Sequence, residues 1–165
     1  MDSTIIKEES LDELARQIGK EKEVIRITND AMNGKIDFKK ALIERVAILQ
    51  GQPTEILEKL KLSINLNDGA IELIRTMKFN SAITVLVSGG FTFLTEHLKT
   101  LLGFDYTHAN SLEISHNNLN NPHLTGRVIE PILDKKAKVS YLDHYVNKNK
   151  LNYEDTVCVG DGAND

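Results

Sequence analysis

A single cysteine in the chain excludes a disulfide framework, and that residue, Cys158, lies in an apolar run where a small buried hydrophobe is expected. A reducing compartment follows. No apolar stretch reaches the roughly 18 residues of a membrane span. No basic-then-apolar leader opens the chain, so the cytoplasm is the expected location. The histidines at 97, 108, 116, 123 and 144 form no ligand pair at helical spacing and have no cysteine beside them, which argues against a zinc site. Positive charge is also scarce. With 20 Lys and Arg against 24 Asp and Glu, the net charge is -4 and no basic stripe stands out, so nucleic acid is not an expected partner. Internal repeats and low-complexity tracts are missing too, apart from an Asn-rich patch at 117–121.

What is present is enough apolar material, 41% of 165 residues, for one sizeable core or a core with a small module. Ser10 and Glu13 resemble a capping box, and Leu11, Leu14, Ala15 and Ile18 follow at helical spacing up to Gly19. Helical periodicity continues over 22–32, 38–49 and 54–60, with breaks at Asn33-Gly34 and Gly51-Gln52-Pro53. Residues 10 to about 65 therefore predict a small helical bundle. After Leu66 the pattern alternates. A helix over 68–77 feeds a strand at 82–87 that stops at Ser88-Gly89-Gly90, and 91–102 is helical again. Short strands at 112–115 and 124–129 suggest a hairpin, 135–147 a helix, and 156–159 a terminal strand. Such alternation predicts an α/β fold, with parallel pairing in a three-layer sheet and right-handed crossovers.

Two of these strands end in chemically useful groups. Ser88-Gly89-Gly90 offers a hydroxyl and backbone N–H groups at a helix start, suited to a phosphate oxyanion. Thr156 to Asp165 runs an apolar strand into Gly160-Asp161-Gly162-Ala163-Asn164-Asp165, whose acids suit a hard divalent cation. Met1-Asp2-Ser3-Thr4 adds a third acid-bearing turn, and Lys138 brings positive charge on the helix before the last strand. Singly, each has a plain reading as a turn residue, a solvated lysine or a frayed end.

Together, MDST at the start, VSGG at 87–90, Lys138 and the final GDGAND resemble the haloacid dehalogenase superfamily of phosphotransferases, and within it the phosphoserine-hydrolysing branch. The resemblance spans essentially the whole chain. It implies a Rossmann-like core, residues 1–9 and 67–165, with a helical cap at 10–66 inserted after the first motif. It also implies hydrolysis of O-phospho-L-serine to L-serine through an aspartyl phosphate, in the last step of serine biosynthesis, with Mg²⁺ as cofactor. By the same resemblance Asp2 is the general acid and base and lends its carbonyl to the metal. Asp161 ligates that metal, and Asp165 and Asn164 order phosphate, lysine or bound water. Ser88, Gly89 and Lys138 hold the phosphoryl group. Glu9 pairs with the substrate ammonium and Arg45 with its carboxylate, and Met32 and Phe38 complete the substrate contacts.

The family pattern reads DxDxT where this chain has MDST, so the family's nucleophile falls directly before Met1. The expectation is a gene fragment cut inside motifs at both ends. Loss of the strand ahead of the first motif would open the sheet, leaving the fragment poorly stable and inactive. Two other functions fit less of the pattern: a phosphatase or phosphotransferase acting on another small phosphomonoester, and a non-catalytic binding relative without the nucleophile. Cation-pumping ATPases carry a similar terminal turn but need membrane helices that this sequence lacks. Homo-oligomerisation stays open.

Overall fold

The computed structural model describes residues 1–116 and 121–161. Four helices come first: α1 (Ser10–Gln17), α2 (Glu21–Met32), α3 (Phe38–Ala47) and α4 (Glu55–Ser63). They are followed by α5 (Ala70–Phe79), β1 (Val85–Phe91), α6 (Thr92–Leu102), β2 (Tyr106–Ser115), β3 (His123–Ile129) and α7 (Lys135–Asn149). The chain is mixed α/β, as its pattern predicts.

Helix starts show why local chemistry matters. Asp37 caps α3 by accepting from Lys40 N at 2.8 Å, and Asp134 caps α7 by accepting from the Lys136 and Ala137 amides. The expected capping box at α1 does not form. Ser10 is already helical and spends its hydroxyl on Asp2 instead, at 3.1 Å. Gly103 closes α6 with φ +85°, a left-handed turn that glycine adopts without strain.

The sheet has the order β1-β2-β3, with β1 and β2 parallel and β2 and β3 antiparallel. Side chains along β2 alternate between two helical layers, as the period of two requires. On one face Thr107 bonds to Glu96 and Ser111 to Thr92, both on α6. On the other face Tyr106 packs on Tyr145 and His108 stacks on Tyr141, both on α7. This sandwich is the predicted three-layer arrangement.

Two apolar clusters hold the elements. Leu11, Leu14, Leu42, Val46, Leu57 and Leu60 join α1, α3 and α4 to Phe91, Leu124 and Ile132. Ile5, Ile6, Ala70, Ile74, Leu86, Leu94, Leu98 and Phe104 form the second cluster beneath β1. Phe93 and Ile64 touch both. Each fully buried Leu or Phe contributes about 1.5–3 kcal/mol of apolar transfer.

Three expectations about strands need correction. The strand at 82–87 begins only at Val85 and continues through Ser88-Gly89-Gly90 to Phe91. Between Val87, opposite His108, and Phe91, opposite Asn110, the register slips, so the Ser88 turn is a bulge within the strand. The second strand starts at Tyr106 rather than 112, because its first half pairs with β1. Finally, 156–159 is not a strand. Among the described residues no strand lies against it to complete a ladder. Val157 is 77% exposed, and Cys158 is exposed rather than buried.

Candidate active site

The bulge in β1, the turn at the chain start, α1, α3 and α7 converge on a cavity of about 250 Å³. It is lined by Asp2, Glu9, Phe38, Arg45, Ser88, Gly89, Lys138 and Asp161, among others. Residues scattered from position 2 to 161 thus line one cavity. Met32 does not line it: at the end of α2 it is 81% exposed. Asn164 and Asp165 lie outside the described residues.

The floor is the glycine turn. Gly90 N donates to Ser88 Oγ at 3.0 Å, and Ser88 is buried. A side chain at Gly89 would come within 3.1 Å of the Phe38 ring. One at Gly90 would reach Met1 Cε at 2.8 Å, Asp2 Oδ2 at 3.0 Å and Ser88 Oγ at 3.2 Å. The sequence needs glycine here for close approach, which is how a backbone turn reaches a phosphate.

Asp2 sits at the centre. Burial pushes its carboxyl up to about 6, Glu9 adds to the rise, and hydrogen bonds from Ser10 pull it back. A carboxyl near 6 exists in both protonation states close to neutral pH, which suits an acid that must later act as a base. Its Oδ2 accepts from Ser10, while its Oδ1 is buried with no hydrogen-bond partner.

Whether a cation fits here is decided by the chemistry of the donor set. Asp161 lines the same cavity and accepts from Thr4 Oγ1 at 2.8 Å, which ties the terminal run to the first turn. Hard oxygen donors from Asp2 and Asp161 suit Mg²⁺, which keeps several waters and needs few protein ligands. Among the described residues no three His, Cys, Asp or Glu side chains converge, consistent with so sparse a set.

The opposite wall is cationic. Arg45 on α3 is half-buried; burial lowers its pKa, while Asp12, Glu9 and Asp2 oppose the shift. Its Nε donates to Ala41 O at 3.3 Å. Glu9 accepts from Ser3 Oγ at 2.6 Å. Sequence reasoning missed Asp12, whose carboxyl is raised by burial and by Glu9 and held down by Arg45. Its signal was available: Asp12 lies three residues after Glu9 at the start of α1, on the same side. Lys138 enters from α7, whose cap Asp134 stands 3.8 Å from Lys39 of α3.

Comparison with known proteins gives the family. Residues 1–165 match the haloacid dehalogenase-like hydrolases. A phosphoserine phosphatase of Archaeoglobus fulgidus is 44% identical over all 165 residues, which span 46% of its length. One of Lactococcus lactis is 42% identical, with 74% of its length covered. A substrate-bound phosphoserine phosphatase complex superposes with a TM-score of 0.88 at 40% identity, covering 99% of this chain and 76% of that one. The chain spans about half the length of the first of these relatives. With its motifs, its fold and its relatives in agreement, the chain belongs to the haloacid dehalogenase-like hydrolase family, as a homologue of the phosphoserine phosphatases.

Proposed function

We propose that this chain forms the substrate-binding and catalytic part of a cytoplasmic enzyme that hydrolyses L-phosphoserine to L-serine and phosphate, the last step of serine biosynthesis. The observation that carries the reading is the union of two ends in one small cavity: Ser88, Gly89 and Lys138 for a phosphoryl group, Arg45 and Glu9 for an amino-acid zwitterion. In this reading residues 10–66 are the cap, and 1–9 with 67–165 the core.

Ser88 Oγ and the Gly89 amide donate to phosphoryl oxygens, and Lys138 offsets the charge gathered there. Arg45 offers a planar fork to the carboxylate, and Glu9 attracts the ammonium. Phe38 lies over Gly89 and keeps water from the phosphoryl side. The family's nucleophilic carboxylate belongs at the position before Met1. Asp2, with its raised pKa, protonates the leaving serine oxygen and later takes the proton of the attacking water. Mg²⁺, held by the Asp2 carbonyl and the Asp161 carboxylate, with Asp165 ordering its waters, would stabilise the charge on the phosphoryl oxygens.

Phosphate release from O-phospho-L-serine by the whole protein, compared with its Asp2→Asn variant, tests the chemistry. The expected result is Mg²⁺-dependent release that falls by a factor of about 10²–10⁴ in the variant. Equal rates would remove Asp2 from the reaction.

A further inference from the structure

Asn110 is 2% exposed in the middle of β2, and its carboxamide is used completely by backbone groups. Its Oδ1 accepts from Leu133 N at 2.6 Å. Its Nδ2 donates to Leu133 O at 3.3 Å and to Gly89 O at 2.8 Å. The Leu133 pair fixes the orientation of the amide, because only the oxygen can meet the Leu133 N–H. The nitrogen must then face Gly89.

The Gly89 carbonyl and the Gly90 N–H belong to one planar peptide unit. Holding the carbonyl toward Asn110 therefore aims the Gly90 N–H the other way, onto Ser88 Oγ, where the 3.0 Å bond is found. A hydroxyl that accepts one bond in a fixed direction keeps its own proton for another acceptor.

We propose that Asn110 is a positioning residue for phosphate: through the Gly89-Gly90 peptide it orients the Ser88 hydroxyl so that its proton points to a phosphoryl oxygen. Asn110 does not line the cavity and touches no substrate. The inference rests on the reading of Ser88 and Gly89 as the phosphate-holding turn. The bulge gives it a structural reason, since an irregular strand has no regular ladder to fix this peptide and a buried side chain takes over that task.

The test is inorganic phosphate titrated into the whole protein with Mg²⁺ present, followed by NMR. Asn110→Asp keeps the size and the acceptor for Leu133 N–H but sets a second oxygen against the Gly89 carbonyl. Phosphate affinity is expected to fall about tenfold, the effect of mis-aiming one charge-assisted hydrogen bond. In a Ser88→Ala background most of that loss should vanish, because the group being aimed is gone. An unchanged affinity in Asn110→Asp overturns the proposal, and so does the same loss in both backgrounds, even if the melting temperature drops. Should Asn110→Asp not fold, the unmutated chain decides: phosphate must shift the Asn110 side-chain NH₂ and Gly90 amide signals together, and a still Asn110 signal overturns the proposal. If the unmutated chain binds no phosphate, the reading of the turn fails, and the proposal with it. If Ser88→Ala weakens binding and Asn110→Asp does not, the proposal alone fails.

Discussion

β1 and the run 156–160 are built from similar material, valines and small residues leading into a glycine turn. Their surroundings differ. β1 has a parallel partner over Val85 to Val87 and again at Phe91, with Leu86 and Phe91 buried on it and the Ser88 bulge formed where the register slips. The terminal run has no ladder partner among the described residues, and Val157 and Val159 lie largely exposed beside an apolar trough of about 690 Å³. Apolar, β-branched composition makes a strand only where another backbone takes up its N–H and C=O groups. The terminal run is held at its ends instead, where Thr156 donates its hydroxyl to Tyr153 O at 2.7 Å and Asp161 accepts from Thr4 Oγ1.

The sharpest way to break this contrast is to cut one large side chain from each region. Phe91→Ala should lower stability by about 3–5 kcal/mol, as emptying a packed core does. Val157→Ala should change it by no more than about 0.5 kcal/mol, in keeping with exposed substitutions. Urea unfolding measures both, and similar losses would mean that the terminal run is packed after all.

A second cut falls on the bulge. Gly90→Ala inserts a methyl group against Met1, Asp2 and Ser88 and should cost about 1–3 kcal/mol through overpacking. It should also reduce phosphate binding, which titration checks, because Asp2 and Ser88 both have to move.

Much of this difference was not legible in the sequence. Helical spacing locates α1 to α4 and α7 because that signal is local, whereas Asp2, Ser88, Lys138 and Asp161 stand out only jointly, through motifs spread over the chain. The first half of β2 was missed, since Tyr106 to Asn110 is recognisable as a strand only through its pairing with β1. The exposure of Cys158 is hidden in the sequence for the same reason: burial depends on a neighbour that no local pattern reports. Met32 follows from family resemblance alone, and it is exposed and does not line the cavity. Asn110 gave no signal, because one polar residue in a strand resembles any other until its partners are known.

Cys158 sharpens the contrast further. As an exposed thiol it should react with a disulfide reagent in the native chain nearly as fast as in denaturant. Strong native protection would place it in a strand.

The smallest effect concerns the opposite face of the sheet, where His108 stacks on Tyr141 and bonds to Tyr145 OH at 2.9 Å. Burial, and then His144, hold the His108 pKa below its ordinary value. The folded state therefore disfavours the imidazolium more than the unfolded state does. Its contribution is full above the ordinary pKa of about 6.5 and is lost as pH falls through the lower folded value. Stability should decline slightly on acidification through that window, and His108→Phe should flatten the decline. An unchanged slope in thermal melts would remove His108 as its source.

The central claim is that one cavity recognises a phosphoryl group and an amino-acid carboxylate together. Its most direct test is calorimetric binding of O-phospho-L-serine and O-phosphoethanolamine, which lacks the carboxylate, to the 165-residue chain and its Arg45→Ala variant in Mg²⁺. The account predicts that phosphoserine binds at least about tenfold more tightly to the unmutated chain, the contribution of a charge-assisted pair, and that Arg45→Ala erases the difference. Equal affinities in the unmutated chain, or a preference that survives Arg45→Ala, would contradict it.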